Sequence, residues 1–331
     1  MRVLVTGGAG FIGSHFVKRL VAAGDDVVVL DKLTYSGNRA NLADVPCEFV
    51  RGDIADPDDV EQAGKGCEAV VNFAAETHVD RSILEASDFI RTDVFGTWVL
   101  LEWARGAAAR FVQVSTDEVY GDVPAGISSL EDDAVRPSSP YAASKAGGDL
   151  QVLAYVRTHA VNASITRGSN TYGPFQYPEK LLPLHITNAL DALPLPVYGD
   201  GRQVRDWLHV EDHAAGIELV LRKGAVGEIY NVGGGEEVAS GEIARRIVSA
   251  TGAEEGSIRH VTDRPGHDAR YSLDTTKLRS LGWTPRHRLV DGLPETVGWY
   301  REHRAWWEPI KASRDFGEYY ERQYKRRLEP V

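Results

Sequence analysis

The run Ser115-Thr116-Asp117-Glu118 closes a short apolar stretch, Arg110 to Ser115, that reads as a strand. Most Asp-Glu pairs are solvated turns. In a cleft, burial and mutual repulsion drive the two carboxyl pKa values apart and leave an acid beside a base. Tyr141 and Lys145 are four apart in a stretch with helical spacing, so they share one face. A phenol, with a pKa of about 10, is a poor base at neutral pH, and an ammonium beside it favours the phenolate. Pro137-Ser138-Ser139-Pro140 breaks the chain just before, which sets Tyr141 at a helix start. Together these residues describe proton removal by Tyr141 and acid–base work by Asp117 and Glu118.

A second constellation opens the chain. Thr6-Gly7-Gly8-Ala9-Gly10-Phe11-Ile12-Gly13 follows the apolar run Met1 to Thr6 and leads into helical spacing from Phe11 to Ala23. Gly7, Gly10 and Gly13 permit a tight turn and a close backbone approach to a pyrophosphate, and the helix N-terminus favours its charge. Asp31 ends the second β-rich run, 18 residues after Gly13. Its carboxylate can accept from ribose hydroxyls and repels a 2′-phosphate, which points to NAD rather than NADP. Asp53 and Ile54 follow the third run and are placed to meet the adenine, although Asp53 could also cap the next helix. A cationic nicotinamide beside Tyr141 would add to the effect of Lys145.

The elements that must hold these groups alternate. Strand-like runs at Asp26–Leu30, Cys47–Arg51, Ala69–Phe73, Arg110–Ser115 and Ala163–Arg167 are separated by helical stretches, notably Asp88–Gly106 and Tyr141–His159. Near-continuous apolar strands alternating with helices predict an α/β, Rossmann-type, doubly wound parallel sheet. The active groups then stand at the carboxyl ends of strands, where open sheets bind ligands. Residues 1–166 are expected to form the NAD-binding domain, with a returning segment near 206–235. Residues 167–205 and 236–331, proline-rich and aromatic, are expected to form a smaller mixed ligand-gripping lobe ending in a packed C-terminal helix.

Composition is that of a globular chain: 331 residues, 43% hydrophobic and 26% charged. It excludes a disordered tail, a collagen-like repeat and a coiled coil. A formal net charge of -11 argues against nonspecific nucleic-acid binding, yet a few well-placed cations could still hold an anionic ligand. Cys47 and Cys67 read as reduced thiols. No apolar run approaches the ~20 residues that span a bilayer, and a glycine-rich turn interrupts the first twenty residues, unlike a signal peptide. A cytoplasmic location is the expectation. His209 and His213 are four apart, but with no H-E-x-x-H pattern no metal is expected there.

At these residues the chain resembles the extended short-chain dehydrogenase/reductases, and more narrowly the dTDP-glucose 4,6-dehydratases. The similar strings are TGGAGFIGS at 6–14, DKLTYSGN at 31–38, AAETHVDRSI at 74–83, STDEVYG at 115–121, PSSPYAASKA at 137–146, YGP…PEKLLPL at 172–184, RDWLHVEDH at 205–213, YNVGG at 230–234 and DRPGHD at 263–268. The resemblance implies that Tyr141 takes the proton from a sugar C4 hydroxyl while NAD accepts the hydride. Thr116 then hydrogen-bonds near that hydroxyl, Glu118 removes the C5 proton, Asp117 protonates the departing C6 hydroxyl, and the hydride returns to C6. It also implies cofactor contacts from Phe11, Ile12, Lys32, Thr34, Gly37, Phe73, Ala74, Ala75, Thr92 and Val114. For the substrate, dTDP-glucose, it implies Asn170, Lys180, Leu181, Arg205, Arg264 and His267 at the nucleotide or diphosphate, and Pro196 and Tyr198 flanking the thymine. Tyr324 reaches the sugar nucleotide, and His78 and Ser82 line the sugar pocket. The chain departs from the family pattern at Asp93 and Thr171, each where an Asn is usual, and at Ser240, where a family Asn meets the nucleotide. A homodimer through a four-helix interface is implied as well. A 4-epimerase or a UDP-glucuronate decarboxylase would keep Tyr141 and Lys145, but would have no use for Asp117 as an acid at C6.

Overall fold

A computed structural model describes residues 1–325. In chain order the first half runs β1 (Arg2–Thr6), α1 (Phe11–Ala22), β2 (Asp26–Asp31), β3 (Glu48–Arg51), α2 (Pro57–Gly64), β4 (Ala69–Asn72), α3 (Val79–Leu84), α4 (Ser87–Phe89), α5 (Thr97–Ala107), β5 (Arg110–Thr116), α6 (Pro140–His159) and β6 (Ala163–Gly168). The second half runs β7 (Asn170–Tyr172), α7 (Leu181–Leu190), β8 (Leu195–Tyr198), β9 (Val204–His209), α8 (Val210–Lys223), β10 (Ile229–Val232), β11 (Glu237–Ala239), α9 (Ser240–Thr251), β12 (Ile258–Val261), α10 (Thr276–Ser280), α11 (Leu289–Glu302), α12 (Arg304–Lys311) and α13 (Arg314–Tyr320).

Seven strands form one sheet in the order β10-β6-β5-β4-β1-β2-β3. Every pairing in it is parallel. Its strands are apolar on both faces because both faces are covered. On one face Phe16, Val17 and Leu20 of α1 and Ile217 and Val220 of α8 pack on Val3, Val5, Val27 and Val29. On the other, Val60 of α2, Leu100, Leu101 and Ala104 of α5 and Val152 of α6 pack on Leu4, Val28, Val70 and Phe111. Each such side chain stabilises the fold by ~1.5–3 kcal/mol relative to exposure. The sheet takes its last strand from far along the chain, Ile229 opposite Ile165.

The rest builds a smaller lobe from a three-stranded sheet, β11-β9-β7, and the pair β12-β8. Its core gathers Tyr172, Leu182, Ile186, Trp207, Ile243, Leu293, Tyr300 and Trp307. The C-terminal aromatic stretch is not one helix: α11, α12, α13 and a π-turn at Glu321–Lys325 succeed one another. The stretch predicted as one helix over 88–106 is also divided. The α4 turn passes into a π-helical segment at Ile90–Gly96 before α5 begins. Such wide turns often mark functional sites, and no side-chain pattern announces them.

Candidate active site

The carboxyl ends of β1, β2, β4, β5 and β6 open into one cavity. Its floor is the glycine loop. Gly7 has φ +65°, and a Cβ there would lie 2.7 Å from the Ala74 nitrogen. A Cβ on Gly13 would lie 2.3 Å from the Gly7 carbonyl oxygen. Only glycine lets these strands and the start of α1 close this tightly. Asp31 is buried, and burial pushes its carboxyl up. Its oxygens accept from the Ala9 amide at 2.9 Å and the Leu33 amide at 2.8 Å, and each keeps a second lone pair. Lys32 pairs with Asp53 at 2.8 Å across the same end. Asp53 does not cap α2: its Oδ1 accepts from the Ala55 amide, while Asp56 is the N-cap and accepts from Asp58. Every residue expected to contact the cofactor lines this cavity, with Gly10, Phe11, Ile12, Thr34, Gly37 and Ile54 at one end and Phe73, Ala74, Ala75, Thr92, Val114, Tyr141 and Lys145 toward the other.

That second end holds Thr116, Asp117 and Glu118. Thr116 closes β5 and caps the short turn that follows, accepting from the Glu118 amide at 3.3 Å. Its hydroxyl donates to Asp117 Oδ1 at 3.2 Å, and Asp117 Oδ2 is buried with no hydrogen-bond partner among the described residues. Burial, then Glu118 and Asp206, push the Asp117 carboxyl well above the usual range, against Arg205. Glu118 is also raised by burial, but Arg264, Arg205 and Lys180 pull it back toward ionisation. Both adjacent acids are raised, and only Glu118 has three cations opposing the rise.

Tyr141 and Lys145 share the inner face of α6. Lys145 is buried and donates to the Val114 carbonyl at 2.8 Å. Burial, Glu118 and Asp93 push the Tyr141 phenol well up, and the hydrogen bond with Thr116 opposes them. Against the expectation from spacing, the chain's own groups raise Tyr141 overall. Glu76 stands on the same wall, raised to about 7 by burial and then by Asp93 and Asp88.

The expected substrate residues divide in two. Thr116, Asn170 and Lys180 line the cavity. Asn170 Oδ1 is buried without a partner, and Lys180 donates to the Thr77 carbonyl. The others are not among the residues that line it, and most of their polar atoms are engaged, although Arg264 Nε is buried without a hydrogen-bond partner among the described residues. Arg264 pairs with Asp80 at 3.0 Å, and Tyr198 donates to Asp80 at 2.8 Å. Against the cost of burial, His78 first, then Arg264 and Tyr198, draw Asp80 down to about 2. His78 caps α3, and Tyr319 lies 3.3 Å from its Nε2. Tyr324 stacks on Tyr198, and His267 pairs with Asp263 at 2.6 Å. Arg205 lies over the Tyr271 ring and donates to the Asp268 carbonyl. Ser82 accepts from the Tyr141 amide at 3.2 Å, so it anchors the start of α6 instead of lining the cavity. The Pro196 carbonyl accepts from His185, Ser240 donates to the Gln203 carbonyl, and Leu181 begins α7 beside the lobe core.

Sequence reasoning missed Glu76, Asp80 and His213. The first two stand in the string AAETHVD, where an acid at a strand end and another in a helix's first turn were the available signals. His213 lines the cavity and meets Thr171 Oγ1 at 2.7 Å, so Thr171 has a partner of its own. His209 and His213 do not face one another. His209, Glu211 and His287 instead bring ligand atoms within 4.8 Å, but His209 Nδ1 accepts from the Glu211 amide and His287 Nδ1 is engaged by Asp212.

The model of the NAD dependent epimerase/dehydratase family matches residues 3–233. A dTDP-glucose 4,6-dehydratase of Streptomyces niveus is 55% identical over 324 residues, covering 94% of this chain and 96% of that one. The crystal structure of DesIV, a dTDP-glucose 4,6-dehydratase from Streptomyces venezuelae with NAD and TYD bound, superposes with a TM-score of 0.92 at 54% identity, over 94% of this chain and all of the other. A Thermus thermophilus UDP-glucose 4-epimerase in complex with NAD reaches a TM-score of 0.87 at 35% identity over 92% of this chain and 100% of the other. The chain thus belongs to the NAD dependent epimerase/dehydratase family, among its dTDP-glucose 4,6-dehydratases.

Proposed function

We propose that the protein is an NAD-dependent hydro-lyase that converts dTDP-glucose to dTDP-4-keto-6-deoxyglucose. The observation that carries this reading is the pair at the end of β5: Asp117, whose carboxyl is pushed well up by burial and by Glu118, beside Glu118, raised by burial with Arg264, Arg205 and Lys180 opposing. An epimerase needs Tyr141 and Lys145 but has no step for this acid.

The cavity fits the dinucleotide: Gly7 and Gly13 have no room for a Cβ against the backbone of Phe73, Ala74 and Gly7, so the loop closes tightly below it, Asp31 keeps lone pairs for a ribose, and α1 presents its N-terminus. Bound NAD supplies hydride acceptance at C4 and hydride return at C6, so the net reaction is loss of water. Tyr141 accepts the C4 hydroxyl proton, and Thr116 orients that hydroxyl while bonded to Asp117. Lys145, fixed on the Val114 carbonyl, favours the phenolate. The 4-ketone acidifies C5–H, Glu118 takes that proton, and Asp117 delivers its own to the C6 oxygen as water leaves. Arg205, Arg264 and Lys180 are the local cations that a net charge of -11 requires for an anionic substrate.

The working unit is a homodimer in the cytoplasm. Leu84, Ile90, Phe95, Trp98 and Leu150 are exposed along α3, the π-segment, α5 and α6, where a second copy would cover them in a four-helix contact.

The test is incubation with dTDP-glucose, without added NAD, in deuterated water. Loss of water with one deuterium at C5 is the expected product. No product, even with NAD supplied, would transfer the reading to another sugar nucleotide.

A further inference from the structure

Asn41 is 2% exposed and sits in the turn Arg39–Leu42 between β2 and β3. Both ends of its amide are engaged. Nδ2 donates to the Ala9 carbonyl at 2.9 Å, and Oδ1 accepts from the Trp306 indole N–H at 2.9 Å. Ala9 belongs to the glycine loop, while Trp306 belongs to α12 of the lobe, 265 residues beyond Asn41. An indole N–H only donates and a carbonyl only accepts, so one orientation of the Asn41 amide satisfies both. The same Ala9 carbonyl accepts from the Asn38 amide at 3.0 Å, and the Ala9 amide donates to Asp31 Oδ2 at 2.9 Å. A chain of hydrogen bonds thus runs from an indole in the lobe, through a buried amide and a loop peptide, to the carboxylate placed for the ribose. The next residue, Gly10, is the N-cap of α1, whose first residues, Phe11 and Ile12, line the cavity and have amides with no intrahelical acceptor. The lobe grips this unit a second time. Phe175, on the loop between β7 and α7, packs edge-on against Trp306 and Trp299, and also meets His15 and the Lys18 ammonium of α1. It stands at φ +66°, a conformation that bulky residues rarely adopt.

We propose that Trp306 and Asn41 are positioning residues for the cofactor: the lobe's indole, through Asn41, holds the Ala9–Gly10 peptide in place and so slows the departure of NAD. Without the indole N–H, Asn41 Oδ1 is buried with no donor, and the amide can turn and release the Ala9 carbonyl. The loop then keeps its glycines and Asp31 but loses its clamp. The coupling is reciprocal, so bound NAD also holds the bond between Trp306 and Asn41 closed. On the dehydratase reading NAD ends each turnover in the state in which it began, and slow release costs the reaction nothing. The coupling itself does not rest on that reading and holds whichever sugar nucleotide is turned over.

The test loads the protein with radiolabelled NAD and follows its release into excess unlabelled NAD. Trp306→Phe keeps an aromatic ring in the cluster and removes the N–H. Release should be ~10-fold faster, the scale of one buried acceptor left without its donor. Asn41→Ala cuts both bonds and should speed release at least as much, and the double variant should be no faster than Asn41→Ala alone. Trp307→Phe is the control. It deletes an indole bond in the same helix that ends within the lobe, at the Tyr300 carbonyl 2.7 Å away, and release should stay at the parent rate. Parent-rate release from a folded Trp306→Phe protein, equal acceleration by Trp307→Phe, or additive effects in the double variant would overturn the proposal. Hydrogen exchange decides the matter without any substitution. In the parent holoprotein, at denaturant concentrations too low to change the rate, added NAD should slow exchange of the Trp306 indole N–H. A rate unmoved by NAD would overturn the proposal. A parent protein that took up no NAD would overturn it together with the cofactor assignment.

Discussion

Asp117 and Glu118 are neighbours to which the proposed reaction gives opposite duties, and more cations act on Glu118. Asp117 faces Asp206 and Glu118; Glu118 faces Arg264, Arg205 and Lys180. Asp117→Asn removes the proton donor and keeps the shape. It should lower elimination ~10²–10⁴-fold while cofactor reduction in a single turnover persists. Glu118→Gln should stall elimination similarly, with substrate affinity within a few-fold of the parent by calorimetry; equal loss of affinity would refute its role at C5. Buried carboxyls also set the acid response of the fold. Asp93 and Asp206 are each 1% exposed and raised to about 6, Asp206 by burial against the Glu236 amide. A carboxyl raised in the folded state lends stability that is full below the unfolded pKa and fades as pH rises through the folded one. Between pH 5 and pH 8 each should cost about 1 kcal/mol. Denaturant titrations at those two pH values should show the difference, and Asp93→Asn should remove its share.

At the scale of elements, the strand end is the organising feature: β1 delivers the glycine loop, β2 Asp31, β4 the wall from Phe73, and β5 the acids. Gly13→Ala drives a methyl to 2.3 Å from the Gly7 carbonyl, so β1 and α1 must part. The purified variant should retain at least ~10-fold less NAD by its absorbance spectrum, with the lobe core intact. Trp307→Ala acts elsewhere. It empties a fully buried site in the lobe and should cost ~3–5 kcal/mol. These elements differ in how far the sequence reveals them. Runs such as VVVL at 27–30 are apolar at every position, which only a strand covered on both faces requires, so the parallel sheet was legible. The glycine loop and the acids declared themselves by type and spacing. The π-segment did not, because a turn one residue wider leaves the same apolar residues in the same order. The Asp80 network did not either: Arg264 is 184 residues from Asp80 in the chain, and no local pattern encodes that pairing.

For the whole molecule, the apolar surface spanning α3, the π-segment, α5 and α6 is where the proposed homodimer would form. Ile90 is 59% and Leu150 57% exposed, more than an isolated chain in water favours for side chains clustered in this way. Trp98→Glu should convert a dimeric mass to a monomeric one in light scattering at micromolar concentration; an unchanged mass would place the contact elsewhere. The path of the chain through the sheet has a consequence for synthesis. β5, with its acids, is made long before β9 and β10, yet Arg205 and Asp206 of β9 are among the groups that tune Asp117, and β10 closes the sheet beside β6. A carboxyl in water is ionised at neutral pH. The surroundings that raise Asp117 are therefore complete only once β9, with Arg205 and Asp206, has been made and has folded against β5's end.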